Sequence, residues 1–314
     1  WKNICRASGI CKGADRMEQR LAVIGLYGMS ALFRLDSLPQ PGQTVRSRGL
    51  VFEQGGKGYN QAVAAARLGA EVYCLTAVGR DADGEECEAR LREEGIEPHC
   101  VLKDAHTAYA VILTDRAGEN RVTVYPGASA LLSGEDVRRF EGCIAASDFL
   151  ILQNELPKAA LAEAFSLAER HRVPVAFNPA PYAAWAEPYL RRAYVVTPNR
   201  SEAHALLGLT ELVPHEELAG RLIQAGVSRA VVTLGSEGAL ALENGQTAFI
   251  PAVPVQTRDT TGAGDCFHAA LTVRLAEGAS LFEAASFASR AAALSVSKPH
   301  VLTALPCREA VERF

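Results

Sequence analysis

A chain of 314 residues, 48% hydrophobic and 22% charged, carries enough apolar side chains for a large α/β core. Its 32 basic and 36 acidic residues give a net charge of −4, and no run of Lys or Arg builds the field that a nucleic acid or an anionic membrane requires. No stretch reaches the roughly 20 apolar residues of a membrane span, and the eight cysteines (Cys5, Cys11, Cys74, Cys87, Cys100, Cys143, Cys266, Cys307) show neither a C-x-x-C pair nor metal-ligand spacing, the pattern of reduced thiols in a cytoplasmic protein.

Residues 1–16 are polar and unpatterned, lack the apolar centre of a secretory signal, and read as a disordered leader before Met17. The apolar run Leu21–Gly25 predicts a buried first strand. Residues 32–54 mix alternating segments with Pro39, Pro41, Gly42 and Gly49. Thr107–Leu113 and Arg121–Tyr125 read as half-exposed strands joined by an Ala-Gly-Glu-Asn turn. Together, about 32–54 and 98–125 predict a small sheet projecting from the body. Elsewhere strand-like runs at Val72–Val78, Phe149–Leu152, Val173–Phe177, Tyr194–Thr197 and Ala230–Leu234 alternate with helical stretches, which predicts a mainly parallel sheet with helices on both faces. With no internal repeat or long linker, residues 17–314 are expected to form one domain.

Asp259-Thr260-Thr261-Gly262-Ala263-Gly264-Asp265 precedes apolar residues at helical spacing. Its glycines let backbone N–H groups converge at a helix start, where unpaired donors favour an anion. Asp265 beside such a nest can accept the proton of a hydroxyl that attacks a phosphoryl group; the plainer reading is an acid favoured there by the helix dipole. Gly55-Gly56-Lys57-Gly58-Tyr59-Asn60 opens a small-residue helix and offers close backbone approach with donors for sugar hydroxyls, or simply a tight turn. Asn199-Arg200-Ser201-Glu202 can face a hydrated Mg²⁺ or cap a helix. Thr233-Leu234-Gly235-Ser236-Glu237-Gly238 suits nucleotide phosphates and a hairpin equally. A G-x-x-x-x-G-K-[ST] loop is absent and Gly25-Leu26-Tyr27-Gly28 fails the G-x-G-x-x-G spacing, which disfavours hydride transfer.

Taken in chain order, the four elements, with Asn178-Pro179-Ala180-Pro181, resemble the ribokinase family of PfkB-type carbohydrate kinases, and most of all its ribokinase branch, from about Leu21 to Pro306. The resemblance implies a three-layer α/β/α sandwich with a mainly parallel central sheet and a small β-sheet lid, and an ATP-dependent kinase that phosphorylates a hydroxymethyl group of a ribose-like sugar. It implies Asp265 as base, with Gly262, Ala263 and Gly264 as the anion hole. Gly28, Ser30, Gly56, Lys57, Gly58, Asn60 and Glu155 would meet the sugar. Asn199, Thr233, Gly235, Ser236, Gly238 and Gly264 would meet ATP. Asn199 and Glu202 would hold Mg²⁺ through water, and Asp259 and Thr261 a monovalent cation such as K⁺. A homodimer through the lid is implied, and no nucleic acid or membrane partner.

Two departures bear on the substrate. Where ribokinases carry Asn and a sugar-gripping Asp, this chain has Gly28 and Ser30, and Ser297-Lys298-Pro299-His300 departs from the Gly-containing loop near the cation. A nucleoside kinase would need ring-stacking groups, for which Tyr27 and Phe33 are the candidates near the first strand. A non-catalytic sugar-binding regulator on the same fold is the other alternative.

Overall fold

The structure, a computed structural model, describes residues 19–116, 119–211 and 213–314. The leader expected over 1–16 and the Ala117-Gly118 half of the expected turn lie outside the described residues.

Leu21, Ala22, Val23 and Ile24 are all fully buried in the first strand β1 (Arg20–Ile24). An apolar run without alternation is what a strand covered on both faces needs. Leu21 and Val23 enter one apolar cluster and Ala22 and Ile24 another, so the period of two splits this single run between two cores. The other strands are β2 (Gly28–Arg34), β3 (Gly49–Gly55), β4 (Glu71–Val78), β5 (Glu97–Leu102), β6 (Ala108–Thr114), β7 (Asn120–Tyr125), β8 (Phe149–Gln153), β9 (Val175–Asn178), β10 (Val195–Val196), β11 (Arg229–Thr233), β12 (Gly238–Glu243) and β13 (Gln246–Pro251). The principal helices are α1 (Lys57–Arg67), α2 (Ala82–Glu93), α3 (Lys158–His171), α4 (Arg200–Leu206), α5 (Ala263–Ala276) and α6 (Leu281–Val296).

Nine strands form the large sheet in the order β13-β12-β11-β10-β9-β8-β1-β4-β5. Seven of them, from β11 to β5, run parallel, and the β12–β13 hairpin adds an antiparallel edge. Residues of α1, α2, α5 and α6 fill the core on one face, and those of α3 and α4 lie on the other, giving three layers. Strand order reverses at β1, with β4 on one side and β8 on the other. In open sheets the crevice at the carboxyl ends beside such a reversal receives the ligand. Gly25, Gln153, Asn178, Thr197 and Thr233 all stand at these ends.

The second sheet has four strands in the order β3-β2-β6-β7. Its limits differ from those expected. Residues 97–102 pair with β4 in the large sheet, so the projecting sheet resumes at Ala108 and not at 98, and it begins at Gly28 and not at 32. Periodicity cannot tell which sheet a half-exposed strand joins; a tertiary clip decides it. Asp81, which caps α2, accepts hydrogen bonds from Thr107 N at 2.7 Å and Thr107 Oγ1 at 2.6 Å, and so sets where the chain leaves the body.

The end of β1 crosses the start of α1 at two glycines. A Cβ on Gly58 would stand 2.4 Å from the Cα of Gly25, and one on Gly25 would stand 2.5 Å from the Cα of Gly58. Backbone against backbone leaves no rotamer to relieve the contact. Gly58→Ala is expected to cost about 1–3 kcal/mol of stability by overpacking, read as a lowered midpoint in chemical denaturation; an unchanged midpoint would mean that the two segments separate freely.

Candidate active site

The turn at the head of α5, expected as an anion loop, is built by one residue. Gly262 caps α5 in the left-handed conformation, φ 74°, and a Cβ there would also strike Val301 Cγ1 at 2.5 Å. Only glycine tolerates both conditions. The Ala263 N–H is taken by Thr260 O at 3.2 Å, and the space beside Gly264 is open, with nothing within 4 Å of where its Cβ would lie.

Asp265, in the first turn of α5, is 5% exposed. Asn60 Nδ2 donates to its Oδ2 at 2.9 Å and Gln61 Nε2 donates to its Oδ1 at 3.0 Å. The chain of amides continues beneath. Gln153 Nε2 donates to Gln61 Oε1 at 2.6 Å, Asn178 Nδ2 donates to Thr197 O at 2.7 Å, and Thr197 Oγ1 meets His268 Nδ1 at 2.5 Å. Burial pulls His268 down to about 3, so the imidazole stays neutral. Of this set, sequence reasoning singled out Asn60, Asp265 and, through the Asn178-Pro179-Ala180-Pro181 motif, Asn178. The usable signal was the adjacent Asn60 and Gln61 in a helix otherwise made of small apolar residues, because buried amides must find partners.

On the other side of Asp265 stands a charge cluster. The Lys57 N–H donates to Glu155 Oε2 at 2.9 Å. Asp265 first, and Glu155 next, hold the Lys57 ammonium above its usual range despite burial. Burial pushes the Glu155 carboxyl up to about 7, helped by Asp265 and opposed by Lys57. Glu155 therefore lies within the cleft. Asn60 Oδ1 and both amide atoms of Asn154 are buried without a hydrogen-bond partner among the described residues.

Gly28 contributes no side chain and has room for none, since a Cβ there would stand 2.4 Å from Ala108 O on β6. The Ser30 hydroxyl lies on the face of β2 that looks toward Gly55, 3.2 Å from where a Cβ on that glycine would be. Neither candidate for base stacking serves. Tyr27 is buried edge-on against Tyr59 at 5.0 Å, and Phe33 points to the opposite face of the lid from Ser30.

Beyond the anion loop opens a cavity of about 880 Å³. Asn199, Thr233, Gly235, Ser236, Gly238 and Gly264 all line it, as does Ala263. Its apolar wall of Val253, Pro254, Val255, Phe267 and Val296 was not foreseen, because it comes from an irregular segment and two helices. The Thr233–Gly238 segment is a hairpin between β11 and β12 and also lines the cavity. Asn199 and Glu202 form a reciprocal capping box at the start of α4, each side chain taking the other's N–H at 2.8 Å. Burial raises the Glu202 carboxyl, and Lys57 and Asp265 both act on it, so it shares their cleft. No group of three or more His, Cys, Asp or Glu among the described residues is arranged as a metal cage. The single carboxylate of Glu202, held beside Asn199, fits a Mg²⁺ that keeps most of its waters. Asp259 takes the N–H of Thr261 at 2.9 Å and of His300 at 3.3 Å, clipping the anion loop to the segment after α6, where His300 holds φ 68°.

A parallel α/β sheet with a small lid, a carboxylate beside a helix-start anion nest and an adjoining nucleotide-sized cavity define a phosphotransferase acting on a small hydroxylated molecule. Residues 18–308 match the model of the pfkB family carbohydrate kinases. The ribokinase of Haemophilus influenzae is 33% identical over 304 residues, covering 95% of this chain and 99% of that one. The ribokinase structure from Thermotoga maritima superposes with a TM-score of 0.84 at 31% identity, over 94% of this chain and 98% of that one. The Arabidopsis thaliana ribokinase complexed with ribose and ATP gives a TM-score of 0.84 at 26% identity, over 95% and 98%. The chain belongs to the pfkB family of carbohydrate kinases, ATP-dependent sugar kinases that share this fold.

The raised Glu155 carboxyl has a measurable consequence. From about pH 4.5 to about 7 the folded state keeps a proton on Glu155 that the unfolded chain has lost, so this group's contribution to stability falls as pH rises through that interval. Glu155→Gln cannot ionise. Its unfolding free energy relative to the parent protein is expected to rise by about 1–3 kcal/mol across the same interval, measured by denaturation at a series of pH values; a flat difference would place Glu155 in a solvated setting.

Proposed function

We propose that this kinase phosphorylates the primary hydroxyl of a pentose-like sugar with Asp265 as the general base. The observation that carries the reading is the position of Asp265. It is fixed by Asn60 and Gln61, with Lys57 and Glu155 on one side and the Gly262–Gly264 turn at the mouth of the large cavity on the other. A sugar lying against Gly56, Lys57, Gly58, Asn60 and Glu155 presents its hydroxyl to Asp265, which takes the proton as the oxygen attacks the γ-phosphorus. The α5 N–H groups and the Lys57 ammonium stabilise the charge of the transferring phosphoryl group. Asn199, Thr233, Gly235, Ser236 and Gly238 hold the nucleotide. Asn199 and Glu202 would hold Mg²⁺ through water, where it would supply charge to neutralise the phosphates, and Asp259 and Thr261 would hold a monovalent cation beside the turn. The lid keeps water from the γ-phosphate.

The test is a coupled ATP-consumption assay over pentoses, hexoses, deoxy sugars and nucleosides, run with and without Mg²⁺ and in K⁺ against a bulky organic cation. Turnover is expected with a pentose-like sugar, to need Mg²⁺ and to rise in K⁺. Asp265→Asn is expected to lower kcat by about 10²–10⁴ while ATP affinity stays within a few fold. Full activity of that variant sinks the mechanism, and indifference to K⁺ removes the cation site. Turnover with any substrate also removes the alternative of a non-catalytic regulator.

The same reading extends to assembly. β7 is an edge strand of the lid, and Val122, Val124 and Tyr125 on it are each more than half exposed, as is Phe52 on β3 at the opposite edge. An unpaired apolar edge of this kind is covered in stable proteins. A homodimer through the lids is expected, with Val124→Lys shifting it toward monomer in sedimentation; a parent protein that is monomeric at working concentration excludes it.

A further inference from the structure

We infer that Glu53 is the carboxylate with which the lid grips substrate hydroxyls, and that it determines which sugar this enzyme accepts. The inference rests on reading the cleft beneath the lid as a sugar site.

The four lid strands carry one acidic residue among those described, and it is Glu53. In the antiparallel register Glu53 stands directly opposite Ser30, so both side chains leave the same face of the lid. That face looks down on the active site. Glu53 Oε2 lies 3.7 Å from His300 Nδ1, and the Glu53 side chain is only 14% exposed although its strand belongs to the lid. His300 is tied through its N–H to Asp259, and Val301, the next residue, packs against Gly262 at the head of the anion loop. Glu53 thus spans from the lid to the turn that receives the phosphoryl group, two residues before the Gly55-Gly56-Lys57-Gly58 approach to α1.

Its surroundings leave acceptor capacity unused. On the same face the neighbours along β2, β3 and β6 are Leu32, Val51, Ala110 and Ile112, none of them a donor. His300 at 3.7 Å is beyond hydrogen-bond distance, and the backbone of Val301 supports one side of the carboxylate. Burial raises the Glu53 carboxyl above its usual range, with His300 and Val301 opposing. A desolvated carboxylate offers about four lone-pair sites, and two neighbouring hydroxyls of a sugar can donate to both oxygens at once. Ser30, directly across the strand pair, adds a hydroxyl on the same face, which suits a polyol. A base or other flat apolar group would leave Glu53 buried and unpaired, which sites built around polar groups reject strongly.

The experiment compares the parent protein with Glu53→Gln, Glu53→Ala, His300→Ala and the double variant Glu53→Ala with Ser30→Asp, using ribose and ATP in steady state with a thermal midpoint for each. Glu53→Gln is expected to raise the KM for ribose at least tenfold and to leave the KM for ATP within twofold. Moving the carboxylate across the strand pair, with Ser30→Asp added to Glu53→Ala, is expected to recover at least fivefold of the loss. A strut that merely ties lid to body behaves differently: His300→Ala would match Glu53→Ala in KM and midpoint, and Ser30→Asp would rescue nothing. That result, or an unchanged KM for ribose in Glu53→Gln, overturns the assignment while the kinase reading stands. Absence of turnover with every sugar in the parent protein overturns both.

Discussion

The Asp265 carboxylate is clasped by two consecutive residues of a helix that lies 204 and 205 positions earlier in the chain. An ionised oxygen pair left in this buried position without donors would carry a desolvation cost that the fold could not sustain. Asn60 and Gln61 remove that cost and in doing so set the angle between α1 and α5. Gln61 in turn needs Gln153 for its own carbonyl, so the clasp reaches the carboxyl end of β8. Gly25 and Gly58 make the same demand in steric form, since α1 can approach β1 this closely only where both lack a Cβ. The site is therefore an outcome of how α1, α5 and the strand ends meet.

Around this clasp the cleft is divided by chemistry. Toward the lid it gathers the polar side chains of Glu155, Lys57 and Asp265, which suit a hydroxylated substrate. Toward β11 and β12 it becomes a long cavity with one apolar wall and a polar rim of Asn199, Thr233 and Ser236, which suits a base and its phosphates. Gly262 stands between the two halves. A left-handed residue there lets the anion loop face both, with Val301 filling the space a side chain would take. The lid joins the body where β1 gives way to β2 and where Asp81 holds Thr107.

Much of this was legible in residues 19–314. The unbroken apolar run at Leu21–Ile24 announces a strand covered on both faces, and the Gly-rich approach to Asp265 announces an anion nest, because each pattern has few physical realisations. Asn199, the Thr233 turn and Gly264, three separate segments, line one cavity. What escaped was of another kind. Residues 98–102 looked like lid because half-exposed strands read alike whichever sheet they join. Gln61, Gln153, Thr197 and His268 carried no spacing that ties them together, since their connection runs between elements and not along one. Val253, Pro254 and Val255 form a cavity wall without regular structure to mark it.

The sequence by itself determined the class of fold, the ATP-dependent sugar chemistry and the identity of the loop that carries Asp265, because hydrophobic period, glycine placement and short motifs are local and survive being read in one dimension. The tertiary structure alone decided what stands across from what. It excluded Tyr27 and Phe33 from the cleft, turned Glu155 inward against Lys57, and set Glu53 opposite Ser30 on the lid. Those relations depend on register and crossing angle between segments far apart in the chain, and the packing of the whole core sets both.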